Sequence, residues 1–170
     1  MPWKYLCSEI FKARYAIAAY FLRDCPFVVE IGGYKTPISG FLKPEIKSLV
    51  IDPKTNGYED NSTKHIAKCF QEVDLNITGE YGVAILGLDL NATDNDWSKL
   101  YTLINGAKTV VVEISVIYKP GQEQFQKILN NTNKIVANQL VIDLSNNDLG
   151  DLKDSAPPHL LRTIFILTSK

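Results

Sequence analysis

Histidine and cysteine are scarce: the 170 residues hold two His and three Cys. Cys7, Cys25 and Cys69 make no Cys-x-x-Cys pair, and His65 and His159 stand far apart, which speaks against a zinc site built from closely spaced ligands. Scattered free thiols, buried or half-buried, suit a reducing compartment, so a cytoplasmic location is expected. An excess of one charge is also missing. Eighteen Lys and Arg against 19 Asp and Glu leave a net charge of −1, with no basic field to hold nucleic acid through its phosphates. No apolar run approaches the roughly 20 residues of a membrane-spanning helix. The first residues, MPWKYLCSEIFKARY, lack the basic-then-apolar order of a secretion signal, so Asn61-Ser62-Thr63 and Asn76-Ile77-Thr78 read as chance matches to glycosylation acceptors. No repeat, low-complexity tract or linker divides the chain. One domain over residues 1–170 is expected, with residues 1–25 as a helical segment packing on its core.

What is present is a series of apolar runs separated by polar stretches. Residues 8–23 read as a helix that Ser8 caps, with Ile10, Phe11, Ala13, Ile17, Tyr20 and Phe21 at helical spacing, and Pro26 blocks its continuation. FVVEI at 27–31 is a strand by its β-branched content. Residues 36–43 form a short helix or turn, with Thr36 as cap and Pro37 at the first helical position. Further strands are expected at 47–52, near 65–70, at 81–90, 108–116, 134–144 and 162–170. Helices are expected at 95–105, closed by Gly106 as a left-handed cap, and at 121–132 after Pro120. The runs at 27–31, 47–52, 81–88, 108–114 and 134–144 are near-continuous rather than alternating. Such runs indicate burial on both faces, hence a mostly parallel sheet covered by helices in a doubly wound α/β domain.

In such sheets ligands bind at the carboxyl ends of the strands, where the strand order switches. The first strand ends in Glu30-Ile31-Gly32-Gly33, and the second ends in Asp52 before Pro53. Glycine lets backbone approach a ligand closely, and an acid at the next strand end can accept ribose hydroxyls. Read singly, the two glycines are a turn and Asp52 is an acid at the start of a loop. On consecutive strand ends they make a floor and a clamp for a nucleotide-like ligand.

Glu30-Ile31-Gly32-Gly33, Ile51-Asp52-Pro53 and Leu86-Gly87-Leu88-Asp89 resemble the first, second and fourth motifs of the class I S-adenosylmethionine-dependent methyltransferases. The likeness runs from the helix at 8–23 to the closing strand at 162–168. It implies a Rossmann-like sheet of seven strands, the last of them antiparallel. It also implies S-adenosylmethionine as cofactor; the scattered Cys and His leave no metal site expected. Glu30 would lie near the methionine amino group. Gly32, Gly33 and Tyr34 would pack beside the methionine and ribose, Asp52 would hold the ribose hydroxyls, and Pro53 would border the adenine. Leu86, Gly87, Leu88 and Asp89 would line the floor beside the sulfonium, with Asp89 as the catalytic candidate that orients the acceptor or takes its proton.

The sequence departs from that family in three places. Lys35 or Thr36 stands near the position of a third glycine. No acid for the adenine amino group is evident over residues 69–74, where Glu72 and Asp74 are the candidates. The Asn/Asp-Pro-Pro-aromatic signature of amino methylation in nucleic acids is replaced by Leu88-Asp89-Leu90-Asn91. Other residues keep two readings. Asp89 is a catalytic carboxylate or a cap. Glu113 faces the cleft or pairs with a lysine. Trp97 and Tyr118 wall a pocket or fill the core, and His65 and His159 are bases or surface residues. No stretch is large enough for a separate substrate domain, which points to a small-molecule acceptor or to a homo-oligomer that completes the pocket. No nucleic-acid or membrane partner is evident. The alternative to a methyltransferase is a methyltransferase-like fold without catalysis, serving as a binding or interaction module. A nicotinamide-dependent reductase is a third reading, against which stand the missing third glycine and second domain.

Overall fold

The computed structural model describes residues 9–33, 37–54, 61–86, 96–116, 119–143 and 161–170. In chain order these form α1 (Glu9–Leu22), β1 (Phe27–Ile31), a 3-10 turn (Ile38–Phe41), β2 (Lys47–Ile51), β3 (Thr63–Ile66), a second 3-10 turn (Phe70–Glu72), β4 (Gly82–Ile85), α2 (Ser98–Gly106), β5 (Thr109–Ser115), α3 (Lys119–Asn131), β6 (Lys134–Asp143) and β7 (Leu161–Ser169). The strands make one sheet in the order β3-β2-β1-β4-β5-β7-β6. The pairs β1–β2, β1–β4, β2–β3 and β4–β5 are parallel, and β7 runs antiparallel to both β5 and β6. The chain therefore winds outward from β1 in one direction and resumes at β4 in the other. The carboxyl ends of β1 and β4 border the crevice that this switch opens.

The parallel strands are apolar throughout because both of their faces are covered. Val29, Ile31, Val83, Ile85, Val110 and Val112 pack with Leu100, Leu103 and Ile104 of α2 and with Phe125 and Ile128 of α3. Val28, Ala84, Val111, Ile164 and Ile166 point the other way, onto Tyr15, Ala18, Ala19 and Leu22 of α1 and onto Ile38. Burying one such branched aliphatic side chain contributes about 1.5–3 kcal/mol, so these two layers dominate the stability.

Several expectations are corrected. The near-continuous apolar run at 134–144 predicts a strand buried on both faces. It is instead the outer edge of the sheet, and most of β6 is exposed after the buried Lys134. β-Branched residues serve an exposed edge as well as a buried strand, so composition alone misplaces it. In α1 the buried stripe is Arg14, Tyr15, Ala18, Ala19 and Leu22, while Tyr20 is 60% exposed and Ala13 is also outside. The helix turns this way because its arginine has a partner in the sheet. Pro37 precedes the first 3-10 turn as its N-cap rather than entering it, and Thr36 lies outside the described residues. Gly106 is the last residue of α2 and has no positive φ; a methyl group there would overlap the Tyr81 hydroxyl, so close approach is what requires glycine. α2 starts later than expected, where Asp96 Oδ1 accepts the Ser98 N–H at 2.9 Å. Between β1 and β2 the described connection holds one 3-10 turn and no α-helix.

Candidate functional site at the strand ends

β1 runs straight into the glycine turn. Gly32 adopts φ 85°, a region that side chains resist. Its N–H donates to the Ile51 carbonyl at 2.9 Å, which ties the turn to the end of β2. At Gly33 a Cβ would stand 2.5 Å from the Glu30 carboxyl and 2.9 Å from Val50 Cγ1. The turn backbone therefore rests directly on Glu30.

Glu30 itself is wholly buried, on the α1 face of the sheet. Its Oε2 accepts the Ile38 N–H at 2.7 Å, and its Oε1 has no hydrogen-bond partner. Burial pushes the carboxyl pKa up to about 8; the Ile38 hydrogen bond and the Arg14 charge oppose that shift, and the Asp52 charge adds to it. At neutral pH most Glu30 carboxyls carry a proton. The residue expected beside the methionine amino group is thus sealed beneath the turn.

Asp52 stands at the end of β2, 8% exposed. Its backbone N–H donates to Ile66 of β3 at 3.1 Å, and its Oδ1 accepts the Lys54 N–H at 2.8 Å. The carboxylate is held by its own turn at the neighbouring strand end, and Pro53 beside it is exposed. Leu86, just past β4, is buried on the α1 side, and its carbonyl accepts from Arg14 Nη1 at 3.4 Å. Tyr34, Gly87, Leu88 and Asp89 lie outside the described residues, as do Lys35, Thr36, Tyr118 and His159.

Arg14 organises this side of the sheet. Its Nη1 lies 2.7 and 2.9 Å from the two Glu113 oxygens, and Nη2 donates to Tyr15 Oη at 3.2 Å. Arg162 of β7 pairs with the same Glu113 carboxylate. The ion pair expected of Glu113 exists, with two arginines in place of a lysine. Arg14 and Arg162 were missed because charged residues in a helix and a strand read as solvated. The available signal was spacing: Arg14, Ala18 and Leu22 share one helical stripe.

On the opposite face a groove of about 340 Å³ opens between residues 70–77 and α2. It touches Ile31 at the end of β1 and is lined by Phe70, Val73, Leu75, Ile77, Leu100 and Leu103. Asp74 lines the same groove and pairs with Lys99 at 2.6 Å, which holds its carboxyl below the usual range. Glu72 instead closes a capping box, accepting the Cys69 N–H at 2.9 Å. Trp97 is buried against Phe70, with ring centroids 5.5 Å apart, and so belongs to the core. His65 lies half-buried in β3, opposite Val50 of β2 and one residue before Ile66, whose carbonyl accepts the Asp52 N–H. Among the described residues no helix is long and apolar enough to cross a membrane.

The backbone matches solved methyltransferase structures at low sequence identity. N-methyltransferase NodS from Bradyrhizobium japonicum WM9, in complex with S-adenosyl-L-homocysteine, aligns over 98% of this chain and 91% of its own, with a TM-score of 0.63 and 11% identity. Magnesium protoporphyrin IX methyltransferase (ChlM) from Synechocystis PCC 6803, with bound SAM, aligns over 94% and 76%, with a TM-score of 0.57 and 11% identity. An rRNA methylase from Streptococcus thermophilus aligns over 96% and 98%, with a TM-score of 0.56 and 12% identity. No protein-family model matches the chain, nor does any curated protein sequence. The chain has the Rossmann-like fold of the class I methyltransferases.

Proposed function

Starting from that fold, we propose that the protein is an S-adenosylmethionine-dependent methyltransferase acting on a small molecule. The observation that carries the proposal is the pair of adjacent strand ends formed by β1, which borders the switch point, and β2 beside it. Gly32 takes the left-handed conformation, Gly33 has no room for a side chain, and Asp52 is fixed one strand away. These residues fit the donor's two parts. The turn backbone would meet the methionine, Asp52 would accept the ribose hydroxyls, and Pro53 would border the adenine. Tyr34, the Leu86 main chain, Gly87 and Leu88 would complete the wall, with Asp89 orienting the acceptor. Glu30 would act through the turn it supports rather than by touching the donor. S-adenosylmethionine supplies a methyl group whose sulfonium leaves as a neutral thioether. The chain's own work is then alignment, with a base needed only where the acceptor carries a proton. A net charge of −1 favours a small acceptor over a polyphosphate chain, and the free thiols, Cys25 buried and Cys69 exposed, suit a reducing cytoplasm.

Calorimetric titration with S-adenosylmethionine and S-adenosylhomocysteine, with NAD as control, tests the reading. Binding of both sulfur ligands that Asp52→Ala abolishes supports it, and an acceptor screen that includes RNA then follows. NAD binding alone would point to a reductase.

One observation favours a second reading, a binding module without catalysis. Among the described residues, the connection from the glycine turn to β2 holds a single 3-10 turn and no α-helix, and with it no helix N-terminus for an anion. Well-folded protein that binds neither sulfur ligand would decide for this reading.

A further inference from the structure

One outer edge of the sheet is a long strand without the usual guards. β6 is the terminal strand, and among the described residues nothing pairs with its free side. Natural sheets guard such edges with charges, proline or short length. Residues 135–142, IVANQLVI, carry no charge, no proline and no glycine, and the strand is ten residues long. Val141 is exposed by 60%, Ile135 by 46% and Val136 by 39%, while Leu140 and Ile142 are half-buried against the α1-side core.

The edge is also palindromic. Read from both ends, it sets Lys134 against Asp143, Ile135 against Ile142 and Val136 against Val141. In a regular strand this symmetry would be useless. Residues facing one another across a two-fold axis must point to the same side of the sheet, and each of these pairs is an odd number apart. The β-bulge supplies the missing residue. Val136 lies opposite Leu167 of β7, and Asn138 opposite Ile166, so Ala137 is skipped. With that skip, Val136 and Val141 both point to the side of Leu167 and Thr163, and Ile135 and Ile142 to the side of Thr168 and Arg162. Gln139 becomes the centre, with equal numbers of register positions on either side.

We propose that two copies of the chain pair antiparallel through β6, about a two-fold axis at Gln139. The pairing runs the two sheets into one. Main-chain hydrogen bonds across the junction supply the affinity, and the matched Ile and Val contacts on both faces set the register. Unlike charges at the strand's ends place each copy's Asp143 toward the Lys134 end of the other, so no like charges meet. The interface is isologous and closes at two copies, because it uses up both β6 edges; the merged sheet then ends in the four-residue β3 on either side.

Sedimentation and light scattering over a concentration series test this, with circular dichroism confirming that each variant is folded. The parent is expected to dimerise. Val141→Lys is expected to shift it to monomer, and adding Val136→Glu is expected to restore the dimer, since each lysine then faces a glutamate. In a background with Cys7→Ser and Cys69→Ser, Gln139→Cys is expected to form a disulfide with its own copy under mild oxidation, because only this register brings residue 139 against itself. A parent that stays monomeric at its highest soluble concentration overturns the proposal. So does a dimer that ignores Val141→Lys and gives no Gln139→Cys cross-link.

Discussion

Against α2 and α3 the sheet presents Val29, Ile31, Val83, Ile85, Val110 and Val112, and nothing in that row carries a charge. Against α1 the same strands bring Glu30 and Glu113, and the helix answers with Arg14 while β7 adds Arg162. Both faces are buried, yet they are held by different physics. The first depends on area and volume, and is indifferent to pH. The second depends on pairing: a buried charge is tolerable only beside its opposite, and removing one partner strands the other. The charged face also lies under the glycine turn, through Glu30, and against the end of β4, through the Leu86 carbonyl. Docking of α1 and the shape of the candidate site are therefore one structural problem.

The largest break should come from Arg14→Ala, which removes both contacts to Glu113 together with those to Tyr15 and Leu86. Arg162 stays beside Glu113, so the carboxylate keeps a counter-charge, but losing two hydrogen bonds between charged groups costs about 3–5 kcal/mol, read as a lower midpoint in urea unfolding. A loss no larger than that of a trimmed aliphatic on the α2 face would show that the two faces are not different in kind.

Glu30 should make the charged face pH-dependent. Its folded-state pKa, about 8, lies above the ordinary carboxylate value of 4.5. The native state binds this proton more tightly than the unfolded chain does. The stabilisation is therefore complete below about pH 4.5 and is lost as pH rises through 8. Glu30→Gln keeps an oxygen for the Ile38 N–H and removes the titration. Unfolding curves from pH 5 to 9 should show the parent falling relative to this variant. Parallel curves would mean that the carboxyl is ionised at neutral pH in the folded protein.

How much of this could be read beforehand follows from the same contrast. β1, β2, β4 and β5 were legible because burial on two faces leaves unbroken apolar runs. Gly32, Gly33 and Asp52 were legible because a tight strand-end turn and its clamp need particular residue types. The charged layer was not, since Arg14 looks like any solvated helix arginine until Glu113 is found opposite. The face of α1 was misjudged for that reason. The edge position of β6 was missed because Ile and Val report strand, not depth. The sealing of Glu30 depends on a contact between residues 30 and 38 that no pattern announces.

Gly33→Ala should come third. It drives a methyl group into the Glu30 carboxyl and Val50, an overpacking that costs about 1–3 kcal/mol. Donor binding should weaken with it, because the turn can make room only by moving. Binding that survives unchanged would separate the turn from the ligand.

The smallest effect is the control for the other face. Ile104→Val removes one methylene from α2, deep in the apolar layer, and should cost about 0.5–1.5 kcal/mol. Its diagnostic feature is flatness. No charge or proton is involved, so the deficit relative to the parent should be the same from pH 5 to 9, while that of Arg14→Ala should change as Glu30 ionises, because Arg14 is the nearby positive charge that opposes its protonation. A pH-dependent deficit for Ile104→Val would mean that strain crosses the sheet from one layer to the other. The strands would then transmit rather than partition, and a substitution behind the groove beside Ile31 could reach the glycine turn.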